Sequence, residues 1–469
     1  MSVLGRPAPG ICCPRRSVPD SARAGSTPSG QPVGALYVSE KLERAAPHVQ
    51  PAGAGTSASA VIVGGGAAGN AAAETLRREG YGGRITMLSA DDALPCDRPN
   101  LSKGYLAGAA SEASNLLRST KFYQDHAIDV RLGTPVAAID IRSGYVELAH
   151  GDRLAYGALL LATGADPVRL DVPGGDLPHV HYLRTLADSR ALISEALTVR
   201  RAVVIGASFV GLEVAASLRA RSVGVQVVAP EKVPMEKILG SELGNFIRRL
   251  HESHGVTFHL DTTAVSIDER SVSLKDGARL EADLVVVGIG VRPATSLAEK
   301  AGLAIDRGVT LDEYPKTSAP RVYAAGDIAR WPDRLTGERM RIEHFVVAER
   351  QGQTAARSIL GRLERFDAAP VFWTEQYDLG VAYVRHAERW DQVEIEGDLE
   401  ARDCTLTSRA QARNWRSPSF IAISRVFARR WISKDQWSVD ARADEAAGRN
   451  ATAGCAISPA AMSCRRCPR

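Results

Sequence analysis

Two stretches of the chain carry glycines at spacings that suit a pyrophosphate. The first is the apolar run Val61-Ile62-Val63, then Gly64-Gly65-Gly66-Ala67-Ala68-Gly69, then a helical pattern to Glu79. A second strand is expected at Arg84–Leu88. In a G-x-G-x-x-G turn between strand and helix, the first glycine permits the tight turn. The second lets backbone N–H groups approach the phosphates at the helix N-terminus, and the third lets helix and strand pack closely. Gly64, Gly66 and Gly69 take these places, with Ala67 and Ala68 opening the helix. Strand, turn and helix are all present in order, which gives the motif its weight. An acid for a ribose diol should close the second strand, about 20 residues on. Asp91 is the candidate, with Asp92 beside it.

The second stretch is Ala202–Ile205, then Gly206-Ala207-Ser208-Phe209-Val210-Gly211, then Leu212-Glu213 and a helix to Arg221. Its next strand is expected at Val225–Ala229, ending near Glu231. Ser208 replaces the middle glycine. Either the backbone passes slightly farther from the phosphate, or the hydroxyl helps to bind it. Glu231 suits a ribose 2′-hydroxyl and repels a 2′-phosphate, which favours NADH over NADPH. Lys232 and Lys237 pull the other way. Two dinucleotide sites in one chain imply two nucleotides, and the natural pair is a flavin and a nicotinamide cofactor.

The rest of the chain must position these turns. Its 469 residues suggest two to four domains. With 45% apolar and 24% charged residues it has the composition of an ordinary globular protein. A net charge of +4 is too small to point to nucleic acid. No run of 18 apolar residues exists, so no membrane span is expected. The N-terminus has arginines but no apolar core of a secretory signal, and a cytoplasmic location is expected. Seven thinly spread cysteines exclude a disulfide scaffold.

The ends differ from the middle. Residues 1–57 are rich in Pro, Gly, Ser and Ala and read as a disordered or remnant segment, with a short strand and helical turn at Gly34–Arg44. Residues 401–469 hold 13 Lys+Arg against 5 Asp+Glu, and their apolar residues follow neither helix nor strand period beyond a strand-like run at Phe420–Phe427. Reading the codons of Asn414–Asp435 one base out of step allows an apolar strand followed by an amphipathic helix. The tail 408–469 is therefore read as the product of a frameshift between Thr407 and Asn414, which sequencing of the coding DNA decides.

Two further segments, Leu159-Leu160-Leu161-Ala162-Thr163-Gly164 and Val322-Tyr323-Ala324-Ala325-Gly326-Asp327, are strands ending in small-residue turns. With the paired glycine turns, their order from about residue 60 to 400 resembles the pyridine-nucleotide oxidoreductases that bind two dinucleotides. Asp97-Arg98-Pro99-Asn100-Leu101-Ser102-Lys103 is similar to a signature of bacterial ferredoxin reductases and apoptosis-inducing-factor-like proteins, and Phe372-Trp373 fits that branch. Gly34–Arg44 resembles the end of a Rieske domain, which precedes the reductase in one subgroup.

The resemblance implies an α/β fold of two Rossmann-like domains, with the NAD domain inserted in the FAD domain and a smaller, incomplete α+β domain after them. The FAD-binding parts would be 58–170 and 295–366, the NAD(H)-binding domain 171–294 and the C-terminal domain 367–407. It also implies roles. Arg98 and Lys103 would lie along the FAD pyrophosphate and flavin, and Arg169, just after Ala162-Thr163-Gly164, would contact FAD. Asp327, after Gly326, would bind the ribityl chain. Glu213 would pair with Lys103 beside flavin N5, where hydride arrives, making these two the catalytic pair. Glu343, His344 and Trp373 would border the isoalloxazine, and Gly290 belongs to the nicotinamide site.

Absent motifs narrow the chemistry. Disulfide reductases of the family carry two cysteines four residues apart after the first unit; here that region has only Cys96. Cys464 and Cys467 supply only two ligands of a zinc set, and Cys12, Cys13 and His48 do not make the two-Cys, two-His set of a Rieske cluster. No metal is expected. The expected activity is NADH oxidation through FAD, with electrons passed singly to a ferredoxin or Rieske-type carrier, the chain resembling a reductase whose carrier domain is missing, replaced or encoded elsewhere. A homodimer is left open. The competing reading is an NADH-responsive redox-sensing interaction protein like apoptosis-inducing factor, with slow turnover.

Overall fold

The computed structural model describes residues 58–334, 337–384, 392–409 and 419–424. The expected elements at Gly34–Arg44 and the residues Cys12, Cys13, His48, Cys464 and Cys467 lie outside them.

The first glycine turn belongs to a five-stranded parallel sheet in the order Val322–Ala324, Ala158–Leu161, Ser59–Val63, Arg84–Leu88, Ile128–Arg131. Its central strands Ser59–Val63, Arg84–Leu88 and Ala158–Leu161 are short and almost wholly buried, as parallel strands covered on both faces must be. Alternate residues serve opposite cores. Ile62 and Leu160 pack on one side with Leu76 and Ala355. Val61, Val63, Leu159 and Leu161 pack on the other with Val322 and Trp331. The helices Ala67–Arg78 and Phe345–Ile359 cross at Gly352, where a Cβ would stand 2.2 Å from the Ala68 carbonyl oxygen.

The second glycine turn lies in a second parallel sheet, in the order Val256–Leu260, Gly224–Ala229, Arg201–Ile205, Leu284–Val287, Val180–Tyr182. In each unit a separate three-stranded antiparallel sheet precedes the return strand: Val136–Asp140 to Arg153–Ala155 in one, Ala264–Asp268 to Arg279–Glu281 in the other. The chain enters and leaves the second unit through Ala165–Pro167 and Val291–Pro293, which pair antiparallel. The fold is thus α/β, with one Rossmann-like domain inserted in another. Each sheet reverses direction of travel beside the strand that leads into its glycine turn, Ser59–Val63 in one and Arg201–Ile205 in the other. That reversal opens a crevice at the strand's carboxyl end, where the glycine turn lies.

After residue 366 the described chain forms an antiparallel sheet in the order Val371–Gln376, Leu379–Val384, Ser419–Ser424, Asp403–Arg409, Gln392–Asp398. This corrects the expected end of the domain at Thr407. Ser419–Ser424 is paired on both sides, and Ile421 and Ile423 are each 2% exposed. The strand-like run noted at Phe420–Phe427 is this strand, displaced to Ser419–Ser424. The strand expected at Ala401–Thr407 begins instead at Asp403, because Arg402 sits at φ +57° in the turn. Residues 410–418, where the frameshift is placed, and 425–469 lie outside the described residues.

Candidate active site

Backbone geometry at the first turn demands glycine twice. Gly64 has φ +121°, and a Cβ there would stand 2.1 Å from the Ala162 carbonyl oxygen. A Cβ on Gly69 would stand 2.0 Å from the Gly64 carbonyl oxygen. Gly66 differs: nothing lies within 4 Å of where its Cβ would be. The helix Ala67–Arg78 starts there with no side-chain cap and no acid in its first turn, so its N–H groups face an open space that suits an anion. A pocket beside the turn is lined by Gly65, Asp91, Asp92, Leu94, Arg98 and Leu186.

Four charged side chains gather at this crevice. Arg98 donates to Asp91 at 2.8 Å and Arg184 donates to Asp327 at 2.7 Å. Burial, and then the neighbouring charge of Arg184, loosen the Arg98 proton, against the pull of Asp91 and Asp327. Two cations held close together, with the Arg184 Nε buried and without a hydrogen-bond partner, are poised for an anion. Arg341 ties Glu343 to this group, donating to it at 2.6 Å and to the Asp327 carbonyl oxygen at 3.1 Å. Thr163 donates to the Ala294 carbonyl oxygen at 3.0 Å, tying the first unit to the strand that leaves the second. Gly164, at φ +74°, leaves room for Arg184, whose terminal nitrogen would stand 3.0 Å from a Cβ there. Arg169, expected beside the cofactor, stacks on the Tyr182 ring at 4.1 Å.

The second turn repeats the first at its ends. Gly206 has φ +114°, and a Cβ there would stand 2.4 Å from the Gly288 carbonyl oxygen; at Gly211 it would stand 2.0 Å from the Gly206 carbonyl oxygen. Between them, the Ser208 hydroxyl donates to the Gly288 carbonyl oxygen at 2.8 Å, a use not foreseen in either reading of its role. The helix Phe209–Ala220 again lacks a side-chain cap. Phe209 meets Phe372 edge-on at 4.7 Å, and Phe372 lies 4.4 Å from the His344 ring. Val210 and Ile289 are exposed apolar groups, and Gly290 is open, at φ +110°. Glu231 follows the strand Gly224–Ala229 and is half-buried, while Lys232 and Lys237 are exposed.

Lys103 and Glu213 meet where the units join. Lys103 follows the 3-10 turn Arg98–Ser102, and Glu213 sits in the first turns of the helix Phe209–Ala220. The Lys103 Nζ lies 2.9 Å from Glu213 Oε2, with the two side chains 10% and 4% exposed. Glu213 also accepts from Ser102 Oγ at 2.5 Å and from Thr374 Oγ1 at 2.6 Å. Thr374 belongs to the strand Val371–Gln376, which also carries Trp373, half-buried on the opposite face. Three parts of the chain thus converge on one carboxylate.

Residues 58–352 match the pyridine nucleotide-disulphide oxidoreductase family. The chain belongs to this family. It is 39% identical over 325 residues to rhodocoxin reductase of Rhodococcus erythropolis, covering 68% of this chain and 76% of that one. It is 36% identical over 344 residues to the biphenyl dioxygenase system ferredoxin–NAD(+) reductase component of Paraburkholderia xenovorans (strain LB400), covering 72% and 84%. Among solved structures, the covalent putidaredoxin reductase–putidaredoxin complex is similar with a TM-score of 0.75 and 33% identity, covering 78% of this chain and 90% of that chain. These relatives place this oxidoreductase in the ferredoxin reductase branch.

Sequence reasoning missed several residues that this member of the family brings to the site. Arg184 is the plainest. It follows the edge strand Val180–Tyr182 and precedes Thr185, whose side chain forms a reciprocal capping box with Asp188. That box fixes the chain direction at Arg184, and a Thr-x-x-Asp step after a strand was the available signal. Gln351 is fully buried and its Oε1 accepts from the Gly326 N–H at 2.8 Å, a contact no local pattern announces. Ser102 and Thr374 were legible only as neighbours of Lys103 and Trp373.

Proposed function

We propose that the chain is an FAD-dependent NADH oxidoreductase that passes electrons one at a time to a ferredoxin-type or Rieske-type iron–sulfur carrier. The observation that carries this reading is the buried Lys103–Glu213 pair, set between two glycine turns of dinucleotide-binding geometry. When bound, FAD would supply the two-electron to one-electron conversion. Gly66 and the uncapped helix behind it would hold its pyrophosphate, with Arg98 and Arg184 neutralising the charge. Asp327, held by Arg184, faces the same crevice. Glu213 and Lys103 fix a point charge pair at the meeting of the units, so a nicotinamide ring entering past Phe209 is oriented by groups already in place. Glu231 selects the 2′-hydroxyl of NADH over the phosphate of NADPH.

The described cysteines weigh against a dithiol acceptor within the chain. Cys96 and Cys404 are both free, and burial first of all pushes each thiol up to about 11. A thiol so protonated is a poor exchange partner, so a dithiol relay has no footing among the described residues. No helix among them is long and apolar enough to cross a membrane.

The test is an anaerobic titration of the purified protein with NADH, following flavin absorbance. Bleaching at about one equivalent, and rapid return of colour with an iron–sulfur protein, is the expected result. A protein that binds no FAD, or is not reduced by NADH, sinks the reading. Bleaching with a long-lived reduced state that no iron–sulfur acceptor discharges would favour the redox-sensing alternative.

A further inference from the structure

The Lys103–Glu213 pair does not stand alone. Lys103 is committed to Glu213 and to the Pro99 carbonyl oxygen, to which it donates at 3.0 Å. Both Glu213 oxygens already accept from hydroxyls. Two more carboxyls share these surroundings. Asp97 opens the turn that carries Lys103, and its Oδ1 is buried with no hydrogen-bond partner. Glu375 follows Thr374, the residue that bonds Glu213, and is half-buried on the same strand face as Trp373. Glu375 feels the charges of Lys103, Glu213 and Asp97. Arg98, next in sequence to Asp97, is turned to Asp91. Lys103 thus has one carboxylate in contact, Glu213, and two more, Asp97 and Glu375, within electrostatic reach. Full ionisation would leave two uncompensated negative charges there, which burial disfavours.

We propose that Asp97 and Glu375 together hold a redox-linked proton, taken up from solvent when the bound flavin is reduced and released when it is reoxidised. The inference rests on the flavin reading above. The hydride of NADH carries two electrons and one proton to the flavin and leaves one extra negative charge in the site. A carboxylate of the Asp97–Glu375 pair offsets that charge by binding a solvent proton. When the two electrons depart to two one-electron carriers, the hydride's proton and the carboxyl's proton both return to solvent. Burial, opposed by Lys103, already raises Asp97 to about 6, and burial raises Glu375 as well. Glu375 feels the charge of Asp97, so one proton is assigned to the two together. The pair acts on the flavin through charge; it positions the proton and does not take part in hydride transfer.

The experiment measures the midpoint potential of the FAD-loaded protein against pH by equilibration with a reference dye. The slope counts protons bound per electron pair. Wild type is expected to bind close to two protons per electron pair over a range just above the Asp97 value of about 6. The Asp97→Asn/Glu375→Gln double variant is expected to bind one. The single variants Asp97→Asn and Glu375→Gln should shift the pH at which the slope changes. A wild-type slope of one proton per electron pair throughout, or an unchanged slope of two in the double variant, overturns the proposal. If the double variant loads no flavin, an unshifted profile in Glu375→Gln overturns it instead. Failure of this inference is distinct from failure of the flavin reading: NADH would still bleach the wild-type protein in the first case and would not in the second.

Discussion

The two glycine turns share their ends and differ in the middle. Gly64 and Gly206 both sit at positive φ against a carbonyl from the neighbouring strand end, and Gly69 and Gly211 both let the helix close onto the turn. Between these fixed points, Gly66 opens onto empty space beside Arg98 and Arg184, whereas Ser208 is tied to Gly288 and is followed by Phe209 packed on Phe372. The first turn is a preorganised anion seat walled by cations. The second is a braced turn flanked by the exposed apolar Val210 and Ile289. This is the difference expected between a dinucleotide that stays and one that comes and goes. Their supports differ too. The first sheet packs its own helices, while the core of the second is continuous with the C-terminal sheet, from Val204 and Leu212 to Tyr383, Leu406 and Ile421.

The comparison breaks most visibly at Gly64. Gly64→Ala puts a methyl group onto the Ala162 carbonyl and a Cβ at φ +121°. The expected cost is more than about 3 kcal/mol in denaturant unfolding, with loss of bound flavin. Gly66→Ala meets no atom, so it should leave stability within about 1 kcal/mol and reduce only flavin affinity. Equal losses in both variants would show that the open space at Gly66 is not the cofactor's.

The joint between the two units is next. Glu213→Ala takes the acceptor from the Ser102 and Thr374 hydroxyls and the direct partner from Lys103, and is expected to cost about 3 kcal/mol, with Asp97 and Glu375 still offsetting the ammonium. Lys103→Ala should retain flavin but slow hydride transfer on the order of 10²-fold in stopped-flow reduction by NADH. An unchanged rate would remove Lys103 from the reaction.

The shared core of the second unit gives two smaller effects. Ile421→Ala should cost about 2–5 kcal/mol, as for any fully buried isoleucine. A silent substitution would mean that the strand Ser419–Ser424 contributes nothing to the sheet. His251, on the helix Glu236–Ser253, bonds Gln376 at 2.9 Å and accepts from the Tyr377 hydroxyl at 3.3 Å, joining the second unit to the C-terminal sheet. Burial, above all, lowers its pKa to about 4 from 6.5. The folded state therefore prefers the neutral ring. Its contribution is complete above about pH 6.5 and is lost as pH falls toward 4, by up to about 3 kcal/mol. His251→Gln should flatten that part of the stability profile.

Much of this was legible in the sequence. The glycine turns impose backbone conformations that only one residue type satisfies, so Gly64, Gly69, Gly206 and Gly211 were readable from type and spacing. The buried strands announced themselves as apolar runs. Arg184 and Glu375 were not readable, because the charges they answer to, Asp327 for Arg184 and Lys103 and Glu213 for Glu375, come from distant parts of the chain. The strand Ser419–Ser424 was legible only as a strand-like run at Phe420–Phe427; its pairing on both sides, which sets its bounds, was not.

The finest difference between the turns is the Ser208 hydroxyl. Its bond to the Gly288 carbonyl oxygen uses its only proton, so it has none left for a phosphate while that bond stands. If it is a brace, Ser208→Gly should lower stability by about 1 kcal/mol and change NADH affinity less than about fivefold. If the hydroxyl leaves Gly288 to bind the incoming nucleotide, affinity should fall by about tenfold or more while stability of the free protein falls by the same small amount. Calorimetric titration with NADH beside a denaturant series separates the two. The brace is the expected outcome: freeing the hydroxyl would leave the Gly288 carbonyl unsatisfied at the point where Gly206 packs against it.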